Sequence, residues 1–395
     1  MVVDLSNALL QSSLYNDNIA ACALESAKGG GTLAFGALRR GELVAERYYQ
    51  DLNAGTKFWQ WSVTKTWASL LIGKLVDEGH LSLSATLESI FSDEGASLWE
   101  QVTDADQKKA ITLRELLTMS SGLRDVDNAP QASLVQVLNA AKLKGSKDFE
   151  YLAATHILSY VIRAATGTTP EAYALGESGL FGALDVGASE FTWTADFAHS
   201  AANAEGVQGS AFGLQTTLTT MLKLGQLLLQ EGRASETVRV LSADYARAAG
   251  SVHVGPWLSI PFCEAGDMWT TGYGYQLWTS RATEPEEIDF FCAVGYAGQY
   301  VCVYPSLELV VATASSDDSS ACKLMRQVPR VFAAGDDAVQ GCTARSDGLV
   351  VGVAVGAAVV VLGVAAVVLV WWTRKRSKKV ATRAQPGDVL IGESL

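Results

Sequence analysis

FWQWSVTKTWASLLIGKLVDEGHL, running from Phe58 to Leu81 of a 395-residue chain, carries the deciding pattern. Trp67, Leu70, Leu71, Leu75 and Val76 recur at the spacing of one helical face, which predicts a helix over Thr64 to Glu78. Ser62-Val63-Thr64-Lys65 stands at its start. Side chains three apart share a helix face, so Lys65 is expected beside the Ser62 hydroxyl. An amine there, with its pKa lowered by burial, can accept the serine proton without a histidine. Backbone N–H groups at the helix start favour a developing oxyanion. The spacing alone is weak, because Ser320-Ala321-Cys322-Lys323 repeats it. Context separates the two. Ser62 follows an aromatic run and opens a long amphipathic helix, whereas Ser320 reads as a polar turn after a strand.

Composition narrows the alternatives. Charged residues make up 18% and apolar residues 49%, which excludes a disordered chain. The net charge of −12 divides into +4 beyond Thr373 and −16 before it, and a body so acidic is a poor partner for nucleic acid. The four histidines (His80, His156, His199, His253) fall in no nucleophile-elbow or metal-ligand pattern, and no G-x-S-x-G, H-E-x-x-H or paired C-x-x-C occurs.

No repeat and no Pro- or Ser-rich linker divides residues 1–335, so one large domain is expected there. Residues 6–27 read as a helix. Thr32 to Tyr49 reads as a β-hairpin turning at Arg39-Arg40-Gly41. Further helices fit Leu113 to Met119, Thr155 to Ala165 and Leu218 to Gln230. Strands fit Tyr275 to Trp278, Phe290 to Val294, Tyr300 to Tyr304 and Leu309 to Thr313. Strands at both ends around a helical middle describe an α+β domain.

Leu349 to Trp372 contains no charge in 24 residues, enough for a helix of about 36 Å that crosses a ~30 Å hydrocarbon core. Trp371, Trp372 and the cluster Arg374 to Lys379 close it as membrane spans are closed. The expected organisation is a body over 1–335, a stalk over 336–348, a single span over 349–372 and a basic tail over 373–395. Basic flanks stay cytosolic, which puts the body outside the cytosol, where the six cysteines can pair. Cys292 and Cys302 lie symmetrically about Ala297 and can face each other across a hairpin. Residues 1–20 lack a secretory signal pattern, so a tail-anchored protein with a cytosolic body is the alternative. Gly348, Gly352 and Gly356 form consecutive G-x-x-x-G steps through which two spans could dimerise.

The stretch Phe58 to Leu81, followed by ITLRELLTMSSGL from Ile111 to Leu123, resembles the serine β-lactamase-like family. That family includes class C β-lactamases, D-alanyl-D-alanine peptidases, family VIII esterases and nylon-oligomer hydrolases. Similarity continues at Gly206 to Gly225, Gly272 to Trp278 and Gly295 to Val311. The resemblance implies an antiparallel sheet flanked by helices with a helical subdomain, and no cofactor. It makes Ser62 the acylated nucleophile, Lys65 its proton acceptor and Tyr151 a second proton-transfer group, a base if the neighbouring cation lowers its pKa and then the donor to the leaving group. The family's second motif has Asn two places after that Tyr, whereas Ala153 stands here. The third motif, Lys or His, any residue, then Gly, maps most naturally onto Tyr296-Ala297-Gly298, with Gln299 supplying the next N–H to the oxyanion hole. Tyr296 brings no positive charge, which favours a small neutral ester or amide over a β-lactam carboxylate. The aromatics Trp59, Trp61, Tyr273, Tyr275 and Trp278 are core or acyl-pocket residues. The missing Asn and the altered third motif leave a second reading, a catalytically silent ectodomain used for binding or as a scaffold.

Overall fold

The computed structural model describes residues 23–24, 27 and 31–334, apart from 126–131, 152–154, 177, 196–204, 259–270 and 282–287. The chain divides into units Met1–Asp336 and Asp337–Leu395, and all described residues belong to the first. The expected first helix over 6–27 and the expected span over 349–372 lie outside the described residues, save three positions of the former. Among the described residues no helix is long and apolar enough to cross a membrane.

Thirteen strands form three antiparallel sheets among the described residues. The large one has eight strands in the order β2 (Glu42–Tyr48), β1 (Thr32–Arg39), β13 (Leu309–Ser315), β12 (Gln299–Tyr304), β11 (Phe290–Gly295), β10 (Trp278–Ser280), β9 (Thr271–Tyr273) and β8 (Val254–Leu258). The amino-terminal hairpin thus pairs with the last strand, Phe35 opposite Thr313 and Ala37 opposite Val311. Two small sheets lie in the helical middle: β3 (Phe58–Trp59), β7 (Leu214–Thr216) and β6 (Phe191–Trp193), and the pair β4 (Leu123–Asp125) with β5 (Ala141–Leu143).

The helices that matter below are α1 (Val63–Asp77), α2 (Leu113–Leu117), α3 (Ile157–Thr166), α4 (Leu218–Leu229), α5 (Ala243–Ala249) and α6 (Asp318–Ala334). Strands β12 and β13 are buried along their whole length, because helices cover both faces. Alternation along β12 assigns those faces. Tyr300 and Tyr304 reach α6, their hydroxyls meeting Cys322 Sγ at 3.2 Å and donating to Met325 O at 2.5 Å. Val301 points the other way, to α4. There Gly225 has no side chain because a Cβ would lie 2.3 Å from Val310 Cγ1. Cys292 and Cys302 are directly opposite on β11 and β12 and form a disulfide with Cα atoms 4.1 Å apart, the pairing the hairpin symmetry allowed.

Helix α1 is buried from Val63 through Leu75, polar positions included. A helix enclosed on all sides needs a partner for each polar side chain. Thr64 Oγ1 accepts from Leu214 N, Thr66 Oγ1 donates to Gln276 O at 2.8 Å, and Ser69 meets the Tyr245 hydroxyl of α5. Gly73 leaves room for the Tyr245 ring, which a Cβ would approach to 2.3 Å.

Two expectations need correction. The strand expected over Tyr275 to Trp278 begins only at Trp278, the first residue of β10: Tyr275 to Leu277 form a turn, Gly274 N donating to Leu277 O, while Tyr275 N and Gln276 N donate to Ala249 O and Leu117 O at the ends of α5 and α2. Gln276 carries a φ of 58°. Those helix ends satisfy the groups that a neighbouring strand would have taken. The segment of Ser320, read as a turn, lies within α6.

Candidate active site

Ser62 immediately precedes α1 in a turn closed by Val63 N to Gln60 O and Thr64 N to Trp61 O, each 3.0 Å. Trp61 holds a φ of 46°, a left-handed conformation that bulky residues adopt only when their surroundings fix it. Antiparallel pairing of β3 with β7 and the bond from Gln60 N to Leu214 O anchor the turn on its upstream side. A serine before a helix usually accepts from an N–H of the first turn. Ser62 does not, and its hydroxyl meets Lys65 Nζ at 2.8 Å instead.

Lys65 is 1% exposed. Its Nζ donates to Ala211 O at 2.7 Å and lies 5.5 Å from the centre of the Tyr151 ring. The structure thus brings together the three residues singled out as catalytic. Burial pushes the Tyr151 phenol up to about 12, outweighing hydrogen bonds with Ser62 and Trp278 that lower it. The phenol is therefore protonated at neutral pH. Tyr151 stands in an aromatic cluster, its ring 5.3 Å from Trp278 and 6.3 Å from Tyr273, with Phe149 packed on all three. Ala153 lies outside the described residues.

The third motif is placed differently from the reading Tyr296-Ala297-Gly298. Gly295, at the end of β11, is the glycine that abuts the turn carrying Ser62: a Cβ there would lie 2.4 Å from Gln60 O. Gly298 packs instead on Ala321 and Asp317, and its N–H donates to Asp318 Oδ1 at 2.8 Å. Gln299 is buried, its amide donating to Ala297 O and Ser315 O. Gly298 and Gln299 therefore support the end of β13 and the start of α6. Tyr296 stands beside the turn that carries Ser62, its ring edge-on to Trp61 with centroids 5.7 Å apart.

Sequence reasoning missed Ala211, because a carbonyl acceptor has no side-chain signature; only its place inside the Gly206 to Gly225 block hinted at it. It missed Phe149 and Gly295 for want of any motif of their own. Among the described residues no group of three His, Cys, Asp or Glu is placed to hold a metal ion.

Comparison with known proteins extends this picture. No curated sequence matches the chain. Solved structures do. A penicillin-binding protein homologue from Caulobacter crescentus has a TM-score of 0.61 at 16% identity, covering 81% of this chain and 99% of its own. A Bacillus anthracis protein assigned as a 6-aminohexanoate-dimer hydrolase gives 0.59 at 18% identity, covering 77% and 79%. A family VIII carboxylesterase gives 0.57 at 16% identity, covering 80% and 96%. At such identities the likeness is one of fold, that of an antiparallel sheet and helices of the β-lactamase/transpeptidase type. The family model described as Beta-lactamase matches residues 21–332, most of the chain, and on that match the chain belongs to the β-lactamase family of serine hydrolases.

Proposed function

We propose that the protein hydrolyses a small neutral ester or amide through an acyl-enzyme on Ser62. The carrying observation is the 2.8 Å approach of the buried Lys65 amine to the Ser62 hydroxyl, with Ala211 O fixing the amine from behind. Ser62 Oγ attacks the carbonyl carbon as its proton passes to Lys65. The oxyanion is held by the N–H groups of Ser62 and Tyr296, the latter following the glycine that touches the nucleophile turn. When the C–O or C–N bond breaks, Tyr151 protonates the leaving group, and the proton on Lys65 restores the phenol. Water then attacks the acyl carbon, and the proton it loses returns to Ser62 Oγ as the acyl bond breaks.

The absence of a Lys or His at the third motif supports a neutral substrate. A carboxylate beside the scissile bond would find no charge-assisted partner from Ala293, Val294 or Gly295. The test is turnover of p-nitrophenyl acetate against nitrocefin. Ester turnover is expected to exceed nitrocefin turnover by at least tenfold, and equal rates would contradict the assignment. We also propose that residues 349–372 anchor the protein in a membrane with the 1–335 body on the face opposite the basic tail. The uncharged run, the flanking cluster and the Cys292–Cys302 disulfide support that arrangement. The spans could pair through Gly348, Gly352 and Gly356.

A further inference from the structure

Four large apolar side chains are exposed among the described residues, and two of them, Trp59 at 43% and Tyr296 at 53%, flank the turn that carries Ser62. Trp61 links them, its ring 6.0 Å from Trp59 at 32° and 5.7 Å from Tyr296 at 85°. The backbone beneath these rings is fixed. Trp59 is the outward residue of β3, fixed by its pairing with Gln215, Trp61 is locked at positive φ, and Tyr296 follows the Gly295 contact. Lys57 directs its Nζ to Thr192 Oγ1 at 2.9 Å. A cluster of rings open to solvent beside Ser62 suits a ligand with a flat face, because ring quadrupoles reward offset and edge-on contacts.

We propose that Trp59, Trp61 and Tyr296 form a subsite that binds a flat aromatic group of the substrate beside Ser62. The inference rests on the hydrolase reading only for what happens to the bound molecule, since the rings bind whether or not Ser62 reacts. The substrate class narrows accordingly to uncharged esters that carry an aryl group. Aliphatic groups of equal size gain burial there without the ring contacts.

The experiment compares 2-naphthylmethyl acetate with its fully saturated decalinylmethyl counterpart, whose leaving alkoxides are similar in basicity. In the full-length wild type the aromatic ester is expected to have the higher kcat/KM by about fivefold to tenfold, the range such contacts supply. Trp59→Leu and Tyr296→Leu should each bring the ratio near one, and Trp59→Phe should restore it. The same pair is titrated calorimetrically into Ser62→Ala and into Ser62→Ala with Trp59→Leu. Tighter binding of the naphthyl ester, lost with Trp59, supports the subsite even if the wild type turns over neither ester, in which case the hydrolase reading alone fails. Equal binding of both esters to Ser62→Ala overturns the subsite, and hydrolysis of both by the wild type would then leave the hydrolase reading standing.

Discussion

At the scale of single residues the chemistry turns on which group carries the proton. Tyr151, with its phenol pushed up to about 12, keeps that proton through the neutral range and well above it. A raised pKa means that the protonated form is lost only as pH climbs towards that value, whereas an ordinary phenol titrates near 10. As a donor, Tyr151 therefore imposes no alkaline loss of activity between pH 7 and 10. A phenolate base would instead make the rate rise throughout that range. Tyr151→Phe should lower kcat by about 10²- to 10⁴-fold with little change in KM; full kcat in that variant would remove Tyr151 from the mechanism. Ser62, Lys65 and Tyr151 were legible in the sequence because helix spacing and motif order reveal side chains. Ala211 was not, since what it contributes is a backbone carbonyl brought in from 146 residues away.

At the scale of elements, the pieces read correctly were those whose periodicity is local: the hairpin of β1 and β2, helix α1, and strands β11 to β13. Those misread take their conformation from distant partners. The Gly274 to Leu277 turn exists because α2 and α5 end where they can accept its N–H groups. The two glycines Gly295 and Gly298 look interchangeable in sequence, yet one meets Gln60 O and the other Asp318, a choice made by tertiary packing. That choice is testable through β11. Gly295→Ala should drive the strand end away from the nucleophile turn and lower kcat/KM by on the order of 10²- to 10³-fold, as loss of an oxyanion donor does. The Cys292–Cys302 disulfide ties β11 to β12 whether or not the substitution is present, so the damage should be confined to the cleft. Unchanged kcat/KM would show that β11 does not set the oxyanion site.

At the scale of the whole molecule, an acidic body precedes a basic tail, with an uncharged run between them. Lys and Arg resist translocation, so the tail should stay cytosolic while the body lies across the membrane. Protease added to intact cells expressing the protein should remove the body and spare an epitope placed after Leu395. Loss of the epitope with survival of the body would mean a tail-anchored enzyme working on cytosolic esters. The α+β class of the body was legible from the order of its strands and helices. The eight-strand order was not, because pairing of β1 with β13 joins segments separated by most of the chain. The central claim, that Ser62 is the activated nucleophile, is tested most directly by labelling the full-length protein with a fluorophosphonate and locating the adduct by peptide mass spectrometry. The label should sit on Ser62, vanish in Ser62→Ala and persist in Ser320→Ala; a folded wild type that takes up no label, or a Ser62→Ala that still does, would contradict the account.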